Sequence, residues 1–243
     1  MALKASASGG GEYEAVPKGT HNAVCYRLID AGTREEQFKE EDPKKRHVIF
    51  IQWELPDLKL DDGRPMSIMK QYTLSLNENS TLHKDLKMWR GKSFTDEELR
   101  GFDLTAVLGV NCELEVGHTA NGRAKVTSVF KPTGGFKKMA TANPLTAFDL
   151  DVYCAEFSGD STPETKAMCD IYEDLPNFMK EMIDNSFEMR AAMAKGERKR
   201  VADAAGEGGG LAAIATMKAN TEAAHKEMAE ADDGADLDDP IPF

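Results

Sequence analysis

Alternating apolar and polar positions predict β-strands in the first half of the chain. The clearest run is His47 to Leu55, which separates into two faces. Ile49, Ile51, Trp53 and Leu55 fall on one face, and Val48, Phe50, Gln52 and Glu54 fall on the other. Thr20 to Ile29 is rich in β-forming residues, and Met66 to Leu74 follows a turn at Asp61-Asp62-Gly63. These segments predict three strands, of which the second and third form a hairpin.

Helical spacing replaces the alternation at Leu82, Leu86 and Trp89. The pair Ser80-Thr81 is available to cap the start of this helix, and Gly91 to end it. A second helix start follows, because Thr95 to Glu98 is close to a capping box. The sequence therefore predicts a helical insert after the third strand.

Two more strands are predicted after the helical insert. Val110 to Val116 and Arg123 to Phe130 are joined across Asn121-Gly122, a strong hairpin signal. Three strands, a helix and two strands is the order of the OB-fold, although other five-stranded barrels fit the same periodicity. We therefore predict a mainly β fold. It is a five-stranded OB-fold barrel with a helical insert between strands 3 and 4, followed by short helices and a disordered acidic tail.

Composition divides the chain around this barrel. The predicted segments are a flexible N-terminal arm (1–15), the barrel domain (16–131), a linker (132–162), a helical segment (163–190), a disordered linker (191–234) and an acidic tip (235–243). The helical segment has apolar residues at helical spacing and is divided by Pro176, which is tolerated in the first turn of a helix. The linker after 190 is rich in Ala, Gly, Glu and Lys and is not expected to bury a core.

The charge of the chain is unevenly distributed. Of 243 residues, 42 are acidic and 30 are Lys or Arg, giving a net charge of −12. Residues 16–131 carry 18 basic and 18 acidic side chains, whereas 227–243 carry seven acidic side chains and no basic one. The acidic balance therefore does not exclude a nucleic-acid partner for the barrel, since only the local groove must be positive.

Several classes of protein do not fit the sequence. No stretch approaches the roughly 20 apolar residues of a membrane helix, and the start lacks the apolar core of a signal peptide. The four cysteines stand far apart, which predicts neither a disulfide framework nor a zinc site and favours the reducing cytoplasm. The five histidines form no metal-binding pair, and Asp149-Leu150-Asp151 has no third ligand in view. We expect no enzyme activity, no metal and no cofactor.

The C-terminus resembles the tail of bacterial single-stranded DNA-binding proteins (SSBs). The match is Asp238-Asp239-Pro240-Ile241-Pro242-Phe243, with Pro240 where many members have a third Asp. The resemblance implies that this tip docks on partner proteins. An acidic segment is attracted to a basic surface, Ile241 and Phe243 fill an apolar pocket, and donors at its rim bind the terminal carboxylate. The alternative is a solvated acidic tail.

The barrel region is similar to a bacteriophage family of OB-fold single-stranded DNA-binding proteins. The motifs that carry the similarity are Gly19-Thr20-His21, Trp53-Glu54-Leu55-Pro56, Tyr72 to Leu76, Leu86 to Gly91, Phe94-Thr95, Gly101 to Leu104, and Asp174 to Ile183. The resemblance implies a protein of the host cytoplasm that coats and protects single-stranded DNA in replication, recombination and repair. It also implies recruitment of replication and recombination proteins through the tip.

Two other functions remain open at this point. The barrel could instead be a protein-interaction or recombination-mediator module that competes for host SSB partners, or an RNA-binding relative. Self-association is left open too.

Cations and aromatic rings are the residue types that bind single strands without sequence preference. The predicted contacts are Lys44, Lys45, Arg46, Phe50, Lys70, Tyr72, Arg90, Lys92, Arg123 and Lys125. Lys70 and Tyr72 share a strand face, although Tyr72 also fits a place at the barrel rim. Lys44 to Arg46 are expected either to bind phosphate or to form a solvated loop. Trp53 shares its face with aliphatic residues and is predicted to lie in the core.

Overall fold

A computed structural model describes residues 15–36, 42–133 and 138–206, with side chains through Arg200. Three predicted segments lie outside the described residues: the acidic tip predicted to dock on partners (235–243), nearly all of the N-terminal arm, and the linker beyond 206.

The described chain is built on one six-stranded sheet. Its strands are β1 (Gly19–Glu36), β2 (Lys44–Lys59), β3 (Pro65–Thr73), β4 (Asn111–His118), β5 (Ala124–Phe130) and β6 (Thr146–Phe148). Five strands are antiparallel in the order β3-β2-β1-β4-β5, and the short β6 runs parallel to β1. The long β1 bonds to β2 along one edge, and to β4 and then β6 along the other. The prediction of a mainly β fold with additional helices is confirmed.

The helices lie in two groups. Between β3 and β4 are α1 (Thr81–Arg90), α2 (Asp96–Arg100) and a 3₁₀ turn (Leu104–Val107), and after β6 come α3 (Leu150–Phe157), α4 (Pro163–Glu173), α5 (Asn177–Asp184) and α6 (Phe187–Gly206). Ser80 caps α1 by accepting from the His83 N–H, and Gly91 ends it at a left-handed φ of 66°. The predicted capping box at Thr95 begins α2. We call α3 to α6 the helical layer.

The sheet is not closed into a barrel, so the predicted OB-fold barrel is not confirmed. Within the described residues β3 and β5 form no backbone ladder. The gap is bridged by Lys70, whose Nζ donates to the Thr127 carbonyl at 3.2 Å. Helix α1 contacts both strands beside this gap. A side chain and a helix therefore occupy the position where a closing ladder was expected.

Apolar side chains are buried on both faces of the sheet, and they form two separate cores. The inner core lies against α1 and includes Ile49, Ile51, Trp53, Leu55, Leu86, Leu114 and Val129. The outer core lies against the helical layer and includes Ile29, Val48, Phe50, Phe148, Leu150, Met179 and Ile183. Trp53 is fully buried in the inner core, as predicted. The two faces that the alternation assigned to β2 are thus the faces of two different cores.

The helical layer extends beyond its predicted bounds. Strand β6 and helix α3 lie in the predicted linker 132–162, and α6 continues to Gly206, well past the predicted start of disorder at 191. In α6, Ala192 and Gly196 are buried. A Cβ on Gly196 would collide with the Phe157 carbonyl oxygen at the end of α3. The small residues after 190 therefore allow close helix packing, a role that their low hydrophobicity did not predict. No helix in the described ranges is long and apolar enough to cross a membrane.

Candidate nucleic-acid interface

Phe50, the predicted base-stacking residue, is buried in the outer core. Its side chain is only 4 % exposed, and its ring forms an edge-to-face pair with Phe178, with ring centroids 6.0 Å apart. No face of Phe50 is open to a base, so its predicted role is corrected. The alternation identified the correct face of β2 but gave no sign that the helical layer covers this part of it.

Lys70 and Tyr72 do share a face, but it is the inner face. The Lys70 Nζ lies 2.6 Å from Asp85 Oδ2, and the Tyr72 hydroxyl donates to the same oxygen at 2.8 Å. Burial, together with the negative charge of Asp85, raises the pKa of Tyr72 far above its usual range. The three side chains join β3 to α1 and leave neither predicted contact free for DNA, which corrects both predictions.

Arg90 has a structural role as well. Its guanidinium carbon lies 4.5 Å from the centroid of the Phe94 ring and 4.9 Å from that of Phe102. The guanidinium also forms an ion pair with Glu98. Hydrogen bonding to the Thr95 backbone, and then to Arg90, lowers the pKa of Glu98. The predicted phosphate contact at Arg90 is therefore corrected. Lys92 is mostly exposed, 3.9 Å from Glu98, and stays a candidate.

The remaining predicted cations are exposed at two separate places. Lys44, Lys45 and Arg46 lie at the far end of the β1–β2 hairpin, opposite residues 34–36. Arg123 and Lys125 lie beside the β4–β5 turn, next to the start of β1. These two basic groups are at opposite ends of an 18-residue strand. The predicted contacts therefore do not form one surface.

A different set of side chains does form one surface. Arg27, Gln52 and Met69 are cross-strand neighbours on β1, β2 and β3, and each is partly exposed. The next position along β3 on the same side is Gln71, which is exposed. These four residues lie on the side of the sheet opposite the inner core, where the helical layer leaves it open. We call them the outward sheet face.

Arg27 is placed on this face by an irregularity in β1. The register with β2 shifts between Cys25 and Arg27. Because Cys25 and Leu28 both point into the inner core, Tyr26 and Arg27 both point outward. The guanidinium lies 5.9 Å from the Tyr26 ring.

Arg27 has unused capacity to bind an anion. Its Nε is buried without a hydrogen-bond partner, and no carboxylate in the described chain forms an ion pair with it. Glu54, the next outward position on β2, is occupied by other donors. Its carboxylate accepts from the Ala142 and Asn143 backbone N–H groups and from the Asn143 amide, at 2.7 to 3.0 Å. The Nε is closed to solvent, so an anionic oxygen would reach the partly exposed Arg27 through its other guanidinium nitrogens. A guanidinium without an ion-pair partner favours such a ligand.

Sequence reasoning missed Arg27, Gln52, Met69 and Gln71. Polar residues at outward positions of strands were the available signal, and Gln52 was assigned to that face. The irregularity that turns Arg27 outward has no sequence signature.

Within the described ranges, no group of three or more His, Cys, Asp or Glu side chains is arranged to hold a metal. Burial raises the pKa of the Cys25 thiol to about 12 and also raises that of Cys112, so neither is a ready nucleophile.

Comparison with known proteins assigns no family. No protein-family model matches the chain. No curated protein is significantly similar to it.

Proposed function

We propose that this protein binds single-stranded DNA without sequence preference and protects it during phage-type replication, recombination and repair. The observation that carries the proposal is Arg27, a half-buried cation without a carboxylate partner on the β1 side of the outward sheet face. Gln52 is its cross-strand neighbour on β2, and Met69 follows on β3. These two residues offer a hydrogen-bonding amide and an apolar surface to bases. Phosphate is the anion that such a surface would meet along a nucleic-acid strand.

The strand order supports the same proposal. The order β3-β2-β1-β4-β5, with a helix between β3 and β4, is that of an OB-fold opened between β3 and β5. In OB-folds the face of strands 2 and 3 binds oligonucleotides, and Gln52, Met69 and Gln71 lie on those strands. We infer an open OB-fold in which the Lys70 side chain bridges β3 and β5.

The exposed cations at the end of the β1–β2 hairpin extend this surface. Arg46 lies 3.9 Å from Glu36, and Lys45 lies against Phe187. These cations would bind the phosphates of a DNA strand that passes Arg27 and continues along β2 toward the hairpin end. The acidic tip, Asp238 to Phe243, would recruit replication and recombination proteins, a part of the proposal that rests on the sequence resemblance alone.

The test is fluorescence anisotropy of labelled oligo-dT and of a matching duplex against the full chain, across a salt series. We expect the single strand to be preferred and the affinity to fall with salt at a slope of about −0.7 per phosphate contact. Arg27→Gln should weaken binding and reduce the magnitude of that slope by about 0.7. Arg100→Gln on α2 is the matched control, because it removes the same charge from an exposed site away from this face.

Three outcomes would contradict the proposal. Equal binding to duplex and single strand would point to general attraction between charges. If neither DNA binds, the chain is better explained as a protein-interaction module. Tighter binding to the RNA oligomer of the same sequence would redirect the proposal to RNA, since contacts to the 2′-hydroxyl set that preference.

A further inference from the structure

The outward sheet face has no exposed aromatic ring of its own. Tyr26 is buried beside Arg27, and Phe50 is covered by the helical layer. Sequence-tolerant binding of single strands draws much of its energy from bases stacked on aromatic rings. If the proposed function holds, rings must reach the DNA from another part of the molecule. Three Phe side chains are at least 36 % exposed in the described chain: Phe130 at 36 %, Phe178 at 47 % and Phe187 at 37 %.

Phe178 lies beside the outward sheet face. It is in the first turn of α5, and its ring forms an edge-to-face pair with Phe50 at an interplanar angle of 78°. Phe50 is paired with Gln71 across β2 and β3, and the next outward row is Gln52 with Met69. The ring therefore stands at the boundary between the covered and the open part of the sheet, with nearly half of its surface in solvent.

Phe187 continues the same line toward the β1–β2 hairpin. It begins α6, and the Lys45 Nζ lies 4.4 Å from its ring centroid. Lys45 and Phe50 are five residues apart on β2, about 17 Å along an extended strand. A DNA strand that runs along β2 would therefore meet Arg27 and Gln52 first and then Phe178. It would reach Phe187 and Lys45 last.

We propose that Phe178 and Phe187 are the base-stacking residues of this interface, so that the helical layer forms its second wall. This inference rests on the proposed function. Residues 149–200 carry 12 acidic and seven basic side chains, which would repel phosphates. The layer therefore contributes rings, and the phosphates follow Arg27 and the hairpin cations. Continuity with the outward sheet face distinguishes these two rings from Phe130, which lies on β5.

The direct test is a tryptophan at position 178. The native tryptophans, Trp53 and Trp89, are 0 % and 4 % exposed in the inner core and give a constant background. In Phe178→Trp, we expect oligo-dT to quench the fluorescence of the added indole at concentrations that match the anisotropy titration. Binding measured by anisotropy without any quenching would overturn the role of Phe178.

Affinity then tests both rings. Phe178→Ala and Phe187→Ala should each weaken binding at least about fivefold, the low end of one base–aromatic stack. Phe178→Leu preserves apolar packing on Phe50 but removes the ring, and it should lose as much affinity as the alanine variant. Phe130→Ala is the control for loss of an equally exposed ring and should bind like the unaltered chain. Circular dichroism checks that each variant is folded.

The outcomes separate this inference from the proposed function. If the unaltered chain binds and Arg27→Gln weakens it, but the variants at 178 and 187 bind normally, only the stacking inference fails. If those variants alter the mass of the particle in solution and leave DNA affinity unchanged, the rings mediate self-association and the inference is overturned. If the unaltered chain binds no oligonucleotide, both proposals fail.

Discussion

The inner and outer cores meet back to back on β2, where Ile51 belongs to one and Phe50 to the other. The inner core is formed by the strands, α1, the 3₁₀ turn and Val16 just before β1, all within residues 16–129. The outer core joins that sheet to helices that follow it, so its contacts span long sequence separations. Val48 and Phe50, for example, pack in the same cluster as Met179 and Ile183.

The two cores also differ in how closely the backbones approach. On the outer side, Gly32 has a φ of 77°, and a Cβ there would lie 2.5 Å from the Ser186 Cβ and 2.6 Å from Leu150. The Thr33 N–H donates to Glu188 at 2.8 Å beside this contact. The outer core therefore depends on small residues and polar contacts at its margin, in addition to apolar burial. Because it covers Phe50, it also sets the limit of the proposed interface.

The largest expected effects come from removing one buried side chain in each core. Leu86→Ala in the inner core and Met179→Ala in the outer core both truncate a residue that is at most 1 % exposed. Each should lower the free energy of unfolding by about 2 to 5 kcal/mol. Urea unfolding is followed by tryptophan fluorescence, which reports the inner core, and by far-ultraviolet circular dichroism, which includes the helices.

Because both cores share β2, we expect the two probes to change together in both variants. If in Met179→Ala the circular dichroism signal changes at lower urea than the fluorescence, the outer core unfolds independently. In that case the inner and outer cores would unfold as two separate units.

Gly32→Ala tests the close approach between the sheet and the helical layer. The substitution adds left-handed strain of about 1 to 2 kcal/mol and a steric conflict of about 1 to 3 kcal/mol. We expect a total loss of about 2 to 4 kcal/mol in urea unfolding. Gly63→Ala is the control, because Gly63 has a φ of 83° but nothing within 4 Å of its Cβ position. Equal losses at both positions would show that the contact with Ser186 and Leu150 contributes nothing.

Gly196→Ala should reverse the usual helix preference. Alanine normally stabilises a helix interior relative to glycine by about 1 kcal/mol. At 196 the new Cβ would meet the Phe157 carbonyl oxygen, which belongs to the backbone of α3. We therefore expect a net loss of about 1 to 3 kcal/mol in thermal or urea unfolding.

The matched substitution is Ala194→Gly, at an exposed position of the same helix. It should cost about 1 kcal/mol, in keeping with ordinary propensity. A stabilised Gly196→Ala variant would mean that α3 and α6 are not in close contact.

The inner core could be predicted far better than the outer core, for physical reasons. Strict alternation at Ile51 and Trp53 is a local signal, and so is the cap pair of Ser80 and Gly91. The covering of Phe50 by Phe178 depends on a contact between residues 128 positions apart, which no local pattern encodes. The proposed site could not be predicted from the sequence for a similar reason. Arg27 faces outward only because the register between β1 and β2 shifts before it.

The smallest expected effect concerns His47, at the margin of the outer core. Its Nε2 lies 2.6 Å from Asp30 Oδ1 on β1, and its Nδ1 lies 3.8 Å from Glu188 on α6. The hydrogen bond to Asp30 raises the pKa of His47. Burial opposes the shift, and the charges of Asp30, Glu188 and Asp151 on α3 add to it.

A raised pKa in the folded state means that protonated His47 stabilises the fold. This contribution is fully present below the unfolded pKa of about 6.5 and is lost as the pH rises through the folded value. The difference in unfolding free energy between the unaltered chain and His47→Gln should therefore be larger at about pH 5.5 than at about pH 8.5. We expect about 1 kcal/mol or less, because the side chains are partly exposed to solvent.

His118→Gln is the control for this pH effect, because the His118 Nε2 is 2.8 Å from the Val16 carbonyl oxygen, a group that carries no charge. Urea unfolding at both pH values, with each variant measured beside the unaltered chain, isolates the contribution of protonated His47 to the free energy of unfolding. If the loss caused by His47→Gln is the same at both pH values, the histidine contributes as a neutral hydrogen-bonding group. The margin of the outer core would then be held by the Thr33–Glu188 hydrogen bond and by packing at Gly32, with no contribution from an ion pair.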